Sequence, residues 1–235
     1  TAVPLRENLH WSVDDMLAAV KPETKLLFLS NPNNPTGAYM ARDDLARLLR
    51  ELPDHVLAVV DEAYVEYVDA KDFIAATELR EMRERLAILR TFSKAYGLAG
   101  LRVGYVIGSR ELVVHLNRLR APFNVGTAGQ VAAQAALADQ AHLRATVEAT
   151  IAGRAKLTTE LEAIGLRVAP SQANFVLVDV GTPARAVYEA LLQRGVIVRP
   201  MPAPLEAWLR VTIGLPSENQ RFLDSLVHVL RESRA

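Results

Sequence analysis

Along residues 1–107, short apolar runs alternate with segments whose apolar positions recur at helical spacing. Continuous apolar runs bounded by turn residues predict strands of a parallel sheet, covered on both faces by the intervening helices. The fourth run predicts an antiparallel strand, because its connection from the third is too short for a crossover. The predicted strands are 25–30, 56–60, 86–89 and 103–107, and the predicted helices are 13–20 (after Ser12), 43–52 and 77–85.

From residue 126 onward the pattern predicts a smaller α+β unit. An Ala-rich helix is expected over 126–143 and a longer one over 146–164, and Ser217 is expected to cap the last helix. We place a domain boundary near residue 140, which gives a large domain, 1–140, and a small one, 141–235. The other predicted elements are strands at 166–169, 174–180, 196–198 and 208–213 and a helix at 184–194.

Composition removes several classes of protein from consideration. The chain has 235 residues, 50% of them hydrophobic, which is enough for a large core. Lys+Arg and Asp+Glu are both 27, so we expect no nucleic-acid partner. Cysteine is absent and the five histidines are scattered, so no disulfide or metal site is expected. No apolar run reaches the roughly 18 residues of a membrane helix, and we expect a cytoplasmic protein without a membrane partner.

Polar motifs follow three of the predicted strands: SNPNNPTG at 30–37, DEAY at 61–64 and TFSK at 91–94. In open α/β sheets, ligands bind outside the carboxyl ends of the strands. We therefore expect these three motifs to meet and to form the functional site.

Lys94 stands in a Ser/Gly-rich turn after an apolar strand. A lysine near a fixed positive charge loses its proton more readily, and the neutral amine can form a Schiff base with a carbonyl. Thr91, Ser93 and Arg102 supply groups that can hold a phosphate. Asp61 ends an apolar strand, where a carboxylate needs a cationic partner such as a protonated ring nitrogen. Taken alone, Lys94 is better explained as a solvated loop residue, and Asp61 is also explained as half of a structural ion pair or as a helix cap.

Taken together, these groups describe a site for pyridoxal phosphate (PLP). The motifs SNPNNPTG, DEAY and TFSKAYGLAGLRVGY resemble the fold-type I, aspartate aminotransferase-like PLP enzymes, and most closely the histidinol-phosphate aminotransferases. The resemblance runs over essentially the whole chain. It implies a large α/β domain with a mostly parallel sheet flanked by helices, followed by a smaller α+β domain.

The resemblance also implies roles around the cofactor ring. Lys94 would hold PLP as a Schiff base, and Asp61 would pair with the pyridine N–H and keep the ring an electron sink. Asn34 and Tyr64 would hydrogen-bond the ring oxygen O3′. The bond between Asn34 and Pro35 is expected to be cis.

Further roles fall on the phosphate and the substrate. Ser93 and Arg102 would bind the PLP phosphate, with Thr91 nearby. A guanidinium fork suits a carboxylate or a phosphate. The implied substrate ligands are Arg199, Arg210 and Asn174.

The implied reaction is transamination of histidinol phosphate with 2-oxoglutarate, giving imidazole-acetol phosphate and glutamate, with ping-pong kinetics and Lys94 as general base and acid. Three alternatives stay open. They are an aromatic or other amino-acid aminotransferase, a decarboxylase acting on threonine phosphate, and a non-catalytic binding scaffold.

The family carries a sizeable N-terminal portion ahead of the segment that Thr1–Glu7 resembles. We therefore expect a piece of a longer aminotransferase, with a sheet that lacks strands and leaves apolar surface exposed. Whether this chain alone is active is left open by the sequence. The family also implies a homodimer.

Overall fold

The computed structural model describes residues 1–232 and arranges them as two four-stranded sheets with helices packed against them. This arrangement confirms the predicted fold class, an α/β unit followed by a smaller α+β unit. The strands are β1 (Leu26–Ser30), β2 (Leu57–Asp61), β3 (Leu86–Thr91), β4 (Gly104–Ile107), β5 (Arg167–Ala169), β6 (Phe175–Asp179), β7 (Arg199–Pro200) and β8 (Trp208–Thr212). The α-helices are α1 (Val13–Ala18), α2 (Arg42–Glu51), α3 (Arg110–Leu119), α4 (Thr127–Ala138), α5 (Gln140–Ala163), α6 (Ala184–Gln193) and α7 (Pro216–Glu232).

In the first sheet, β1, β2 and β3 pair in parallel and β4 joins β3 antiparallel, as predicted. Ser30 lies in register with Asp61, and Asp61 with Leu89, so three strand ends share one edge of the sheet. The expectation that both faces are covered is wrong at β1, where Phe28 is 68% exposed and Leu29 only 2%. Successive side chains of a strand point to opposite faces: Leu29 packs into the core with α1 and α2, whereas the face that carries Phe28 is open to solvent. This exposure agrees with the apolar surface that the incomplete sheet was expected to leave.

Helices α1 and α2 cover the buried face of this sheet. Ser12 caps α1 as predicted, with its Oγ accepting a hydrogen bond of 3.2 Å from the N–H of Asp15. On α2, helical spacing places Leu45, Leu48 and Leu49 on one face, each at most 1% exposed. Burial of each leucine contributes about 1.5–3 kcal/mol.

Three helical segments differ from the sequence prediction. Asp139 separates α4 from α5 and caps α5 by accepting from the N–H of His142 at 3.0 Å, so the break falls before residue 140 instead of at 143–146. Helix α3 was not predicted; Ser109 caps it through the N–H of Leu112. The charged stretch predicted over 77–85 is a 3₁₀-helix, Ala76–Met82. The domain boundary near residue 140 stays a prediction.

The second sheet is antiparallel throughout, in the order β5-β6-β8-β7. The strand predicted at 196–198 is wrong: pairing with β8 begins only at Arg199, and Ile197 is 80% exposed. Ser217 lies inside α7 and does not cap it, because the helix begins at Pro216. Helices α5, α6 and α7 bury Leu157, Leu161, Leu191 and Leu226 against this sheet. Within residues 1–232, every helix is too short or too polar to span a lipid bilayer.

The two units meet tightly at Gly37, in the loop after β1. A Cβ atom on Gly37 would lie 2.1 Å from the Oγ of Ser171, and the residue has φ +77°. Its carbonyl accepts a hydrogen bond of 2.8 Å from the N–H of Gln172. Glycine is therefore required here both for the backbone conformation and for the close approach of the second unit.

Gly37→Ala is expected to lower the free energy of unfolding by more than the cost of an alanine at positive φ, because the added Cβ also clashes with Ser171. The matched control is Gly181→Ala, which has φ +70° but no atom within 4 Å of the added Cβ. The control should cost about 1–2 kcal/mol, the penalty for an alanine in the left-handed region. Urea unfolding of both variants measures the difference; equal losses would show that the contact with Ser171 is not tight.

Candidate active site at the carboxyl ends of the strands

The loop 30–37 is held rigidly by its own buried polar groups. Asn31 is fully buried and its Oδ1 accepts from the N–H of Met40 at 2.8 Å. Thr36, also fully buried, accepts from the Nδ2 of Asn33 at 2.9 Å. A loop bound in this way presents its exposed residue, Asn34, in a defined orientation.

Asn34 links the two units at the site. The bond between Asn34 and Pro35 is cis, as predicted. The Oδ1 of Asn34 accepts a hydrogen bond of 2.6 Å from the Nη1 of Arg210, which lies on β8 of the second sheet. The sequence reasoning placed both residues near a ligand but did not pair them.

Arg210 has a donor that no described protein atom satisfies. Its Nε is buried and without a hydrogen-bond partner within residues 1–232. Burial lowers the pKa of Arg210, and the positive charge of Arg199 acts in the same direction. A buried guanidinium with an unused donor is stabilised by an anion, so the geometry here fits an anionic ligand.

Two aromatic rings connect Lys94 to Arg210. The Nζ of Lys94 lies 5.3 Å from the ring centroid of Tyr64. Tyr64 packs edge-to-face on Phe175 with the centroids 5.3 Å apart, and the Cζ of Arg210 lies 5.1 Å from the Phe175 centroid. Both distances are within cation–π range. Phe175 was not among the predicted site residues, although it stands in the segment SQANFVLV that carries Asn174.

Asp61 is the last residue of β2 and is half-buried. Its Oδ1 accepts from the N–H of Ala63 at 3.0 Å, while no described residue donates a hydrogen bond to its Oδ2. One carboxylate oxygen is therefore free to accept from a ligand. A protonated ring nitrogen satisfies that requirement.

The turn after β3 presents Lys94. The Oγ1 of Thr91 accepts from the N–H of Ser93 at 3.0 Å, and the Lys94 carbonyl accepts from the N–H of Gly97 at 2.9 Å. Arg102 is exposed, with φ +55°, and its Nη1 donates to the carbonyl of Ala99 at 2.9 Å. The backbone thus folds Thr91 and Ser93 beside Lys94, whereas the Arg102 side chain hydrogen-bonds its own turn.

Arg199 and Asn174 lie on the second unit beside Arg210. Arg199 opens β7 in register with Arg210 on β8 and is exposed. Asn174 precedes β6, is half-buried, and accepts at its carbonyl from the N–H of Ile213 at 2.9 Å. Arg199 and Arg210 therefore lie side by side on the second sheet, and Asn174 lies just before β6, the strand on the other side of β8.

A buried ion pair between Arg90 and Glu62, the residue after Asp61, was not predicted from the sequence. Glu62 is 0% exposed; its Oε2 accepts from the Nε and Nη2 of Arg90 at 2.9 and 2.8 Å, and its Oε1 from the N–H of Ala76 at 2.5 Å. Burial raises the pKa of Glu62, opposed by the N–H of Ala76 and by Arg90. The pair ties the end of β2 to the end of β3. A sequence signal existed: Glu62 and Arg90 are charges directly beside residues of apolar strands.

Arg90→Met is expected to lower the free energy of unfolding by about 3–5 kcal/mol, because it leaves the buried carboxylate of Glu62 unpaired. The loss should be larger at pH 8 than at pH 5. Burial raises the folded-state pKa of Glu62 and Arg90 opposes that shift, so removing Arg90 raises the pKa further. The stability of the variant therefore falls as pH rises through this folded-state pKa, where the unpaired carboxyl group must ionise.

Arg80→Met is the control, since Arg80 pairs with Glu81 at the surface, with 66% and 87% of the two side chains exposed. It should change stability by less than about 0.5 kcal/mol. Urea unfolding at both pH values tests the pair; a loss for Arg90→Met that does not depend on pH would contradict the role of the Glu62 carboxylate.

A metal centre finds no support in the side chains of residues 1–232, which contain no cluster of three or more His, Asp or Glu suited to hold an ion. The groups that do converge are an amine, a free carboxylate oxygen, an amide and guanidinium groups. This donor set fits PLP and an anionic substrate.

Comparison with known proteins gives consistent results. The sequence profile of the family "Aminotransferase class I and II" matches residues 1–226. "Histidinol-phosphate aminotransferase 2" of Hydrogenovibrio crunogenus is 44% identical over 234 residues, which covers 98% of this chain and 62% of that protein. "Histidinol-phosphate aminotransferase 1" of Nitrosococcus oceani is 46% identical over 99% of this chain and 63% of its own length. This chain therefore spans less than two thirds of these relatives.

A solved structure agrees with the fold. The crystal structure of histidinol-phosphate aminotransferase from Sinorhizobium meliloti, in complex with pyridoxal-5'-phosphate, superposes with a TM-score of 0.92 at 32% identity. The match covers 99% of this chain and 64% of that one.

Proposed function

Because the chain belongs to the aminotransferase class I and II family, we propose that it serves PLP-dependent transamination with Lys94 as its reactive lysine. The observation that carries the proposal is the convergence of Lys94 and Arg210 on the Tyr64–Phe175 ring pair. It puts a nucleophilic amine and an anion-binding guanidinium on opposite sides of one aromatic contact.

The cofactor's ring fits the residues at the strand ends. Asp61 would accept from the pyridine N–H with its free Oδ2, and Asn34 and Tyr64 would donate to O3′. The cofactor phosphate would be bound by Ser93, Thr91 and Arg102 around the Lys94 turn. When bound, PLP supplies an electron sink that stabilises negative charge at the carbon bearing the amino group.

Lys94 performs the proton transfer. Its Nζ, when neutral, would take the proton from the substrate Cα as general base and would later return a proton as general acid. Because the keto product of the donor leaves before the 2-oxo acid binds, the kinetics should be ping-pong.

Arg210 orients the substrate. Asn34 fixes one arm of its guanidinium through Nη1, while the buried Nε stays available for the substrate anion. Arg199, opposite in the neighbouring strand, adds a second positive charge at the same edge. Asn174, just before the strand β6 that pairs with β8, is the third proposed substrate contact.

The substrate we propose is histidinol phosphate, with 2-oxoglutarate as amino acceptor and imidazole-acetol phosphate and glutamate as products. Two relatives of that name and the paired arginines favour a phosphate-bearing donor over an aromatic amino acid. The reaction would be a step of histidine biosynthesis, carried out in the cytoplasm.

The first test is the visible spectrum of the purified chain mixed with PLP, beside Lys94→Ala. We expect an absorbance band of lysine-bound PLP in the parent, absent from Lys94→Ala, and discharged by histidinol phosphate at lower concentration than by phenylalanine. A folded parent chain without the band would contradict PLP binding by these residues. Release of CO2 with no transfer of nitrogen would instead indicate the decarboxylase.

An apolar face supports self-association. A cavity of about 1440 Å³ lies between β4, α3 and α4, and its rim carries Phe123, 96% exposed, and Leu119, 83% exposed. Patches of this kind mark protein interfaces more often than free surface. We propose that this face takes part in a homodimer.

Phe123→Asp is expected to shift sedimentation velocity toward the monomer, because it places a charge in the apolar face. Ile197→Asp is the control, since Ile197 is 80% exposed but lies on the second unit, away from the cavity. A monomeric parent chain, or an equal shift in both variants, would contradict the proposed interface.

A further inference from the structure

Arg154 of α5 is a buried arginine that joins the two units. It is 5% exposed, and its Nη1 donates to the carbonyl oxygens of Tyr67 at 3.0 Å and of Ala173 at 2.9 Å. Its Nη2 donates to the Oδ1 of Asp69 at 2.9 Å. Tyr67 and Asp69 belong to the first unit, whereas Ala173 leads into β6 of the second.

Burying this guanidinium is unfavourable unless its hydrogen bonds are made. Burial lowers the pKa of Arg154, while the carboxylate of Asp69 opposes that shift. A lysine would keep the charge but has a single nitrogen, which cannot reach three acceptors in the fixed directions of a planar fork. The arrangement therefore depends on the geometry of arginine more than on its charge.

The acceptors of Arg154 lie next to the rings that connect Lys94 with Arg210. Tyr67 follows Tyr64 by three residues, and Ala173 precedes Phe175 by two. Arg154 thus hydrogen-bonds the backbone close in sequence to both rings of the edge-to-face contact, near Tyr64 through Tyr67 and near Phe175 through Ala173. We therefore expect a change at Arg154 to alter the distance between the two rings.

We propose that Arg154 is a positioning residue that sets the separation of the Lys94 half of the site from the Arg210 half. The functional part of this inference rests on the function proposed above. In that function the cofactor is held by the first unit, and the substrate anion by the second. Arg154 therefore governs the affinity for the donor and leaves the affinity for PLP nearly unchanged.

A second contact at the same place keeps the units together without Arg154. The Oε1 of Gln172 accepts from the N–H groups of Asp69 and Ala70 at 2.8 and 3.2 Å. Substitution of Arg154 is thus expected to loosen the relative placement of the units without separating them.

The structural test compares Arg154→Lys with Arg83→Lys. Arg83 is a matched control because it is also buried, at 7%, and also donates to backbone carbonyls, but only within the first unit. The chain has no cysteine, so spin labels can be placed at Asp44→Cys in α2 and Gln193→Cys in α6, both exposed. We expect the label-to-label distance distribution to broaden or shift in Arg154→Lys and to match the parent in Arg83→Lys.

The functional test titrates the same variants with PLP alone and then with histidinol phosphate. For Arg154→Lys we expect the PLP dissociation constant to change less than about twofold, and the donor dissociation constant to rise at least tenfold. Arg83→Lys should change neither. An unchanged distance distribution in Arg154→Lys, or equal effects in both variants, would overturn the proposal. If the parent chain binds no PLP, the proposed function fails, and the distance measurement still decides the positioning role.

Discussion

Parallel pairing of β1, β2 and β3 in nearly common register is the constraint on which the site depends. Because Ser30, Asp61 and Leu89 lie side by side, the three segments that follow them must leave the sheet at one edge. The buried pair of Glu62 and Arg90 then holds two of these strand ends together. The candidate ligand-binding side chains of the first unit therefore all follow strands of one hydrogen-bonded sheet.

The second unit contributes through a small number of close polar contacts. Arg210 reaches Asn34, Gln172 reaches the segment after Tyr67, and Ser171 packs on Gly37. These contacts use buried or half-buried polar groups whose partners lie across the boundary. The geometry of these contacts, more than their number, sets the position of Arg210 relative to Lys94.

Much of this arrangement was predictable from local sequence. Lys94, Asp61, Asn34 and Tyr64 stand in short motifs directly after apolar runs, and the strands that carry them were located within a residue or two. The break at Asp139 was misplaced because an alanine-rich helical pattern continues across it, and only the cap marks the junction.

Other features could not be predicted because they depend on contacts between distant parts of the chain. Asn34 and Arg210 are 176 positions apart, and Arg154 and Tyr67 are 87 apart. β7 begins at Arg199 only because β8 is there to pair with it. Phe175 and Glu62 likewise look like ordinary strand residues until their neighbours in space are known.

The order of these residues along the chain has a consequence for biosynthesis. Asn34, Asp61, Tyr64 and Lys94 all leave the ribosome before Arg154 or Arg210 has been translated. Domains fold largely as units, N-terminal first. The lysine-bearing half of the site can thus take shape on the nascent chain, while the anion-binding half is added only after the last strands emerge. In the proposed function, the residues assigned to the cofactor are therefore translated before those assigned to the substrate anion.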